Sequence, residues 1–324
     1  MKNDTVNWGI MAAGKIAAVF ADGLKYTAHG RPLAIGSRSL DKAQTFAEKH
    51  DIPRYYGSYE KLVQDEDIDV IYIASPHHLH KTNMLLALEY GKAVLCEKPF
   101  TLDTNEAAQV AEAAQKANIF VMEGMWTRFL PIMKRIKKII DTNIIGNIHI
   151  VEADLGFKAN FDPSHRLFDP AMGGGALLDL GIYLVSLTHW LLGKPLQINS
   201  IAKFGKTGVD EHTSIMFGYE QDHLANLYTS LRTETPCEAV ILGEKGRIRI
   251  FGPVYRPSAF TLSIIGEGDE YHRGEMVGNG FNYEAEEVMQ CLKEDKTEST
   301  NMPLQDTLEI MDIMDSIRQT WHHD

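Results

Sequence analysis

Short apolar runs alternate with stretches of helical periodicity over residues 1–125. Such alternation is typical of a parallel sheet whose strands are joined by crossover helices. The pattern predicts strands at 6–11, 31–37, 54–56, 70–74, 93–96 and 119–122, and helices at 16–26, 40–50, 59–64, 78–90 and 104–117. We therefore expect the front of the chain to be an α/β domain with a doubly wound parallel sheet.

From residue 126 onward, most of the strand-like runs are longer and alternate apolar with polar residues. They predict strands at 148–157, 197–204, 213–219, 224–231, 238–242, 247–251 and 260–264, and helices at 130–141, 176–192, 283–293 and 304–320. Two-residue alternation and a tight turn at 243–246 favour a mostly antiparallel sheet with helices on one face. The 324 residues are thus predicted to form two domains, 1–125 and 126–324, the second of the α+β class.

Charge and composition narrow the class of partner. The formal net charge of −12 disfavours nucleic acid or an anionic membrane as the main partner. No apolar run approaches the roughly 18 residues that span a bilayer. The three cysteines, Cys96, Cys237 and Cys291, form neither a disulfide framework nor a zinc-spaced cluster. We expect a cytoplasmic protein.

A partial dinucleotide motif follows the first predicted strand. Ala12, Gly14 and Ala17 occupy the three fixed positions of G-x-G-x-x-G/A, so the first glycine is absent. Gly14 would let the backbone approach a pyrophosphate, which the N–H groups of the helix start would bind. Because the motif lies between a strand and a helix, it favours a dinucleotide site over a plain turn. The predicted site residues are Ala12, Ala13, Gly14, Lys15 and Ile16.

The residues after the second strand indicate which dinucleotide binds. An NAD-selective site has Asp or Glu there, whereas this chain has Ser37 and Arg38, with no carboxylate before Asp41. A hydroxyl beside a guanidinium suits a 2′-phosphate, because arginine can bind phosphate through two parallel hydrogen bonds. We predict NADP in preference to NAD; the alternative is a solvated arginine on a loop.

Polar residues also follow the fourth and fifth strands. Those after the fourth are candidates to line the cofactor pocket: Ser75, Pro76, His77, Leu79 and His80. No Cys, Asp or Glu stands at ligand spacing near these histidines, so no metal site is predicted. Glu97 and Lys98 end the fifth strand, where open α/β sheets bind ligands. The Lys98 ammonium could meet a reacting oxygen there, or it could be an ordinary strand-end lysine.

A second pair of candidates lies in the back half of the chain. Three glycines at 173–175 lead into an apolar helical stretch that contains Asp179 and Tyr183, four residues apart and thus on one helical face. A carboxylate on a buried helix is costly without a partner. An ammonium near a phenol lowers the phenol pKa toward a useful range, and Lys98 is the candidate for it. Alternatively, Asp179 caps the glycine turn and Tyr183 fills the core.

These segments together resemble the glucose–fructose oxidoreductase and inositol dehydrogenase (Gfo/Idh/MocA) family of NAD(P)-dependent enzymes. The matching pieces are 9–17, 76–80, 91–99, 173–175 and 179–183, and the similarity runs over nearly the whole chain. Residues 122–131 and the tyrosine at 183 are most similar to the branch of dimeric dihydrodiol dehydrogenase and NADP-linked D-xylose dehydrogenase. Alanine at 12 and histidine at 77 depart from the family pattern.

The resemblance implies a Rossmann domain followed by a domain whose open-faced sheet pairs subunits, hence a homodimer or a higher homo-oligomer. It implies that Lys98 touches nicotinamide ribose and substrate, that Asp179 orients the substrate hydroxyl, and that Tyr183 is the acid–base group. Trp126 and His80 would line the active-site cleft. Arg128 and Glu97 are also predicted to bind the cofactor.

The expected function is hydride transfer between NADP and the carbinol carbon of a sugar, cyclic polyol or vicinal diol. Tyr183 would remove the hydroxyl proton while Lys98 stabilises the developing oxyanion. Two alternatives stay open. One is a non-catalytic NADP(H)-sensing regulator on the same scaffold, and the other is a biliverdin-reductase-like or imine-reducing enzyme. The presence of Lys98, Asp179 and Tyr183 together favours catalysis.

Overall fold

The structure, a computed structural model, describes residues 5–321. The described chain divides into two compact units. The first contains 5–129 and 276–308, and the second contains 130–275 and 309–321. Each unit therefore includes a segment from the last fifty residues of the chain, and each has its own sheet.

The first unit is built on a six-stranded parallel sheet in the order β3-β2-β1-β4-β5-β6, the order of a Rossmann fold. Its strands are β1 (Val6–Met11), β2 (Gly30–Gly36), β3 (Arg54–Tyr56), β4 (Val70–Ile73), β5 (Ala93–Glu97) and β6 (Val121–Gly124). Its helices before β6 are α1 (Lys15–Leu24), α2 (Leu40–His50), α3 (Tyr59–Val63), α4 (His80–Glu89) and α5 (Thr104–Ala117). The predicted doubly wound domain is confirmed.

Helix ends in this unit follow from capping residues in the sequence. The side chain of Ser39 accepts from the N–H of Lys42 at the start of α2, and that of Asp103 accepts from the N–H of Glu106 at the start of α5. Asn118 adopts the left-handed conformation that ends α5 (φ 55°). These local signals explain why both helices have the predicted bounds.

The second unit is built on an eight-stranded sheet in the order β14-β13-β12-β11-β7-β10-β9-β8. Its strands are β7 (Ile148–Gly156), β8 (Gln197–Phe204), β9 (Asp210–Gly218), β10 (Leu224–Ser230), β11 (Ala239–Gly243), β12 (Gly246–Ile250), β13 (Ala259–Ile264) and β14 (Asp269–Arg273). Only β7 and β10 pair in parallel, which confirms the mostly antiparallel sheet. The remaining α-helices within residues 5–321 are α6 (Pro131–Asp141), α7 (Ile182–Leu192), α8 (Phe281–Lys293) and α9 (Leu304–Gln319).

Two elements differ in kind from the sequence prediction, whereas several others differ only by one to three residues at an end. Strand β14 was not predicted, because it is a mostly exposed edge strand whose polar residues show no buried face. The predicted helix 176–192 is not uniform: Leu177–Gly181 forms a π-helical turn before α7 begins. A π turn holds more residues than an α turn, so the four-residue spacing argument for Asp179 and Tyr183 does not apply across it.

The segment Pro170–Leu192 also corrects the expectation about membrane spans. Its 23 residues are long and apolar enough to cross a bilayer by length and composition. In the structure, however, 78% of the most apolar 18-residue stretch of this segment is buried inside the protein. Burial of that extent is what a core helix shows, and it is the core of the second unit that this segment fills.

Candidate active site

The predicted cofactor residues of the first unit follow the carboxyl ends of neighbouring parallel strands. In the sheet register, Met11 pairs with both Gly36 and Ile73, and Ile73 pairs with Cys96. The segments that leave β2, β1, β4 and β5 therefore emerge at one edge. Because β1 lies between β2 and β4, this edge includes the point where the strand order reverses, at which dinucleotides bind in open α/β sheets.

The turn between β1 and α1 has the shape that a pyrophosphate site needs. Ala12, in the position of the missing glycine, adopts a positive φ of 88°, and its N–H donates to the carbonyl oxygen of Gly36 (2.9 Å). Gly14 precedes α1, and apart from Gly14 and its two chain neighbours no described residue has an atom within 4 Å of the position that a Cβ would take there. Gly14 is the N-cap of α1, and the N–H groups in the first turn of a helix have no intrahelical acceptor. These residues fit a dinucleotide phosphate.

Ser37 and Arg38 follow β2 as predicted. The N–H of Ser37 donates to Tyr56 (3.0 Å), and its hydroxyl accepts from the N–H of Ser39 (3.3 Å), so its position is fixed. Arg38 is exposed and lies near Tyr59. Burial raises the pKa of Tyr59, and the Arg38 cation offsets part of that increase. An exposed guanidinium beside a fixed hydroxyl is an arrangement that can accept a phosphate group.

His80 connects the loops that follow β4 and β5. Its Nε2 lies 2.8 Å from the carbonyl oxygen of Ser75, and its Nδ1 lies 2.8 Å from that of Pro99. The ring is fully buried, and burial lowers the pKa of His80, although the two carbonyls favour the protonated ring. His77 packs edge-on against it, with 5.7 Å between ring centroids. In this structure His80 fixes the position of the Lys98–Pro99 segment, and its contact with a cofactor stays a prediction.

Behind Lys98 lies a buried group of acids. Tyr72 donates to Glu97 (2.5 Å), and both are buried. Glu284 of α8 is fully buried, and within the described chain neither of its carboxyl oxygens has a hydrogen-bond partner. Burial, together with the charge of Glu97, raises the pKa of Glu284 well above its usual range. Because Glu97 directly precedes Lys98, this buried group lies next to the strand end that presents Lys98.

Trp126 and Arg128 follow β6, and both have contacts that explain their burial. The Trp126 ring stacks on Phe281, with 4.7 Å between centroids. Arg128 forms a buried ion pair with Asp306 (Nη1 to Oδ2, 2.6 Å) and donates to the carbonyl oxygen of Asn301 (3.4 Å). These contacts give both residues a structural role in the first unit, and their predicted contact with the cofactor stays untested.

In the second unit, Asp179 lies in the π turn and Tyr183 in the first turn of α7. Asp210 fixes the start of this segment, because its Oδ2 accepts from the N–H of Leu177 and the hydroxyl of Thr213, both at 2.8 Å. Burial raises the pKa of Asp210 to about 7. Gly175 adopts a φ of 117°, and a Cβ there would lie 2.1 Å from Oδ1 of Asp210. Glycine is therefore required where the run meets Asp210.

Sequence reasoning missed two neighbours of these candidates. Arg166 forms an ion pair with Asp179, with 2.8 Å between Nη1 and Oδ1. The ring of Tyr255 lies 5.4 Å from that of Tyr183. Both residues come from the loops 159–171 and 252–260, whose geometry cannot be read from the sequence. Their partners depend on the path of each loop, so no spacing rule could have identified them.

Each unit thus assembles its own share of the candidate site. The first brings the β1–α1 turn, Ser37, the His80 bridge and Lys98 to one edge of its sheet. The second joins Asp179 to Arg166 and Tyr183 to Tyr255. The action of Lys98, Asp179 and Tyr183 on one substrate stays a prediction.

Comparison with known proteins identifies the chain. Residues 6–125 match the model of an oxidoreductase family with an NAD-binding Rossmann fold, and residues 133–249 match the GFO/IDH/MocA C-terminal domain. Trans-1,2-dihydrobenzene-1,2-diol dehydrogenase of Xenopus tropicalis is 35% identical over 96% of this chain and 97% of its own length. The human enzyme of the same name is 32% identical over 97% and 96%.

The chain belongs to the GFO/IDH/MocA oxidoreductase family. It is therefore an NAD(P)-dependent oxidoreductase, as the resemblance predicted. Solved structures agree on the fold. An aldose-aldose oxidoreductase from Caulobacter crescentus, complexed with glycerol, superposes with a TM-score of 0.90 at 22% identity, over 98% of this chain and 97% of that one. A 3-ketoreductase from Actinomadura kijaniata, in complex with NADP and TDP-benzene, gives 0.88 at 21% identity, over 98% of each chain.

Proposed function

We propose that this protein is an NADP-dependent dehydrogenase of a vicinal diol, cyclic polyol or sugar. The similarity over the whole chain to trans-1,2-dihydrobenzene-1,2-diol dehydrogenases carries the proposal. Two features of the second unit support it: a buried carboxylate, Asp179, and a phenol, Tyr183, stand at the start of the same helical segment. A substrate hydroxyl needs such an acceptor and such an acid–base group.

Each candidate residue has a defined task in this proposal. Asp179 accepts a hydrogen bond from a substrate hydroxyl and so orients the carbinol. Tyr183 takes the proton of the reacting hydroxyl, and the Lys98 ammonium lowers the phenol pKa and stabilises the oxygen as negative charge develops. The bound nicotinamide supplies the acceptor for the hydride. Lys98 and Tyr183 should consequently affect turnover far more than cofactor binding.

The preference for NADP is proposed to depend on Ser37 and Arg38. The fixed hydroxyl and the exposed guanidinium after β2 would bind the 2′-phosphate, while Ala13, Gly14, Lys15 and the rest of the β1–α1 turn would bind the pyrophosphate. Arg38→Ala should weaken NADP binding by about 10- to 100-fold, the range of a charge-assisted hydrogen-bond pair. Its effect on NAD binding should be less than about threefold. Equal loss for both cofactors in a calorimetric titration would contradict this assignment.

The decisive experiment follows NADP reduction over a panel of trans-dihydrodiols, pentoses, hexoses and inositols. We expect turnover with at least one member, and a loss of about 10³-fold or more in kcat for Lys98→Met and Tyr183→Phe, whose NADP affinity stays near wild type. Lys92→Met is the matched control, because Lys92 is a buried lysine of the same unit that donates to the carbonyl oxygens of Asp65 and Ile68. NADP binding without turnover of any panel member would contradict the proposal.

We also propose a homodimer formed through the outer face of the eight-stranded sheet. Neighbouring strands expose apolar side chains on that face, Ile201 (70%), Met216 (55%), Leu224 (53%) and Tyr228 (44%). An apolar patch of this kind on a sheet face marks an interaction site. Met216→Asp should shift the protein toward a monomer in sedimentation velocity, whereas the exposed control Ile265→Asp should not. A wild-type monomer at micromolar concentration would contradict this assembly.

A cytoplasmic location is proposed as well. In the structure Cys96, Cys237 and Cys291 are all free, as expected of a protein in a reducing compartment. Cell fractionation followed by thiol titration of the purified protein would test this, and recovery in an oxidising compartment would contradict it.

A further inference from the structure

The loop before the glycine run is held against that run by backbone contacts. The N–H of Gly174 donates to the carbonyl oxygen of Asp169 (3.0 Å), and the N–H of Gly175 donates to that of Leu167 (2.9 Å). A Cβ on Gly174 would lie 2.8 to 2.9 Å from three carbonyl oxygens, those of Arg166, Leu167 and Asp169. No side chain fits there without displacing the loop. The glycine run therefore fixes the position of Arg166 as well as the start of the helical segment.

Arg166 faces the candidate residue Asp179 from this loop. The side chain of Asp179 is 8% exposed, that of Arg166 is 44% exposed, and 2.8 Å separates Nη1 from Oδ1. A buried carboxylate needs a counter-charge to stay ionised, and a half-exposed guanidinium can provide one while most of its own hydration is kept. The charge-assisted hydrogen bond also restricts the rotation of the carboxylate.

We propose that Arg166 is a positioning residue of the reaction, which keeps Asp179 ionised and in one orientation for the substrate hydroxyl. This inference rests on the proposed function, in which Asp179 orients the substrate. Arg166 itself acts through Asp179. Because a guanidinium is a planar fork with fixed donor directions, lysine should replace it only in part.

The chain offers a matched control for this ion pair. Arg232 is 52% exposed and pairs through Nη1 with Glu211, which is 6% exposed, at 2.9 Å. The two pairs have the same chemistry, nearly the same distance and similar burial, and both lie in the second unit. They differ in that only one carboxylate is a candidate for the substrate site. Arg232→Met therefore reports what loss of a half-buried ion pair does to the protein in general.

The first experiment compares kinetics of the full-length protein with its best panel substrate and NADP. Arg166→Met should lower kcat/KM by about 100-fold, the loss that follows from a misplaced substrate-positioning group. Arg166→Lys should recover about tenfold of that loss, and Arg232→Met should stay within about threefold of wild type. Asp179→Asn and the double variant Arg166→Met/Asp179→Asn should be equally impaired, because the two residues act as one unit. Similar activity in Arg166→Met and Arg232→Met, or losses that multiply in the double variant, would overturn the proposal.

A second experiment needs no turnover. Without Arg166, the ionised Asp179 loses the cation that pairs with it at 2.8 Å, so Arg166→Met should unfold at lower urea concentration as pH rises from 5 to 8. Adding Asp179→Asn should remove most of that added pH dependence. If it does not, Arg166 does not keep Asp179 ionised. Wild-type protein that turns over no panel substrate would instead contradict the proposed function, so the two failures can be told apart.

Discussion

Asp210 provides the sharpest test of how the start of the π turn is held. Its Oδ2 accepts both hydrogen bonds, from the N–H of Leu177 and the hydroxyl of Thr213. Asparagine is the same size and can place its carbonyl oxygen where Oδ2 lies, so Asp210→Asn keeps both bonds and removes the charge. The substitution therefore isolates the cost of ionising this group inside the second unit.

The magnitude follows from the pKa of Asp210, which burial raises from 3.8 to about 7. A carboxyl whose pKa is raised by folding contributes stability that is present below its unfolded pKa and is lost as pH rises through the folded one. The loss is about 1.4 kcal/mol per pH unit over a window of about three units, hence about 4 kcal/mol in all. Wild type carries this penalty above pH 7, whereas Asp210→Asn does not.

Urea unfolding, followed by tryptophan fluorescence and circular dichroism at several pH values, measures the difference. The free energy of unfolding of Asp210→Asn minus that of wild type should increase by about 4 kcal/mol between pH 4 and pH 8 and stay flat above. The control Asp210→Ala leaves the N–H of Leu177 without its acceptor and should be destabilised by about 2–4 kcal/mol near neutral pH. A difference between Asp210→Asn and wild type that does not change with pH would refute the reasoning.

Three further outcomes are expected. Ala12→Gly should raise the free energy of unfolding by about 0.5–1 kcal/mol, because glycine adopts a positive φ without strain; a loss of stability in urea titrations would contradict the strain at this turn. Glu284→Gln should gain stability relative to wild type as pH rises above about 4.5. Burial and the charge of Glu97 raise the pKa of Glu284, so the wild-type protein loses the stabilising contribution of this group with rising pH. Equal pH profiles of unfolding free energy for the two proteins would argue against that shift. Arg128→Met should cost about 3–5 kcal/mol by removing the buried guanidinium that pairs with Asp306. If calorimetry instead shows unchanged stability and lost NADP binding, Arg128 binds the cofactor directly.

What the sequence could predict depended on local signals. Helices α2 and α5 were predicted to the residue, because Ser39 and Asp103 cap their starts within the same few residues. Strand ends in the parallel sheet were predicted to within two residues, since each apolar run stops where the chain leaves the core. The β1–α1 turn was identified despite its alanine, because Gly14 still stands between a strand and a helix.

The remaining features depend on parts of the chain that are distant in sequence or lack a pattern. Strand β14 is held by backbone pairing with β13 and buries little, so its sequence shows no alternation. The π turn differs from an α-helix by one residue per turn, which an apolar stretch does not reveal. Arg166 reaches Asp179 only because its loop folds back on Gly174. Such a contact is decided by packing, and packing is absent from a linear pattern.

Helix α8 has a practical consequence for dissecting this enzyme. It lies more than 150 residues after β6 in sequence, yet it belongs to the first unit. Just before it, the side chain of Asn279 donates to the carbonyl oxygen of Val19 in α1 (2.6 Å), and its first residue, Phe281, stacks on Trp126. A gene fragment that stops at residue 129 would leave this flank bare and should be recovered as insoluble material. An excised nucleotide-binding domain must therefore carry residues 276–308 as well. A chimera that exchanges this domain with that of a relative needs more than one junction between the two sequences.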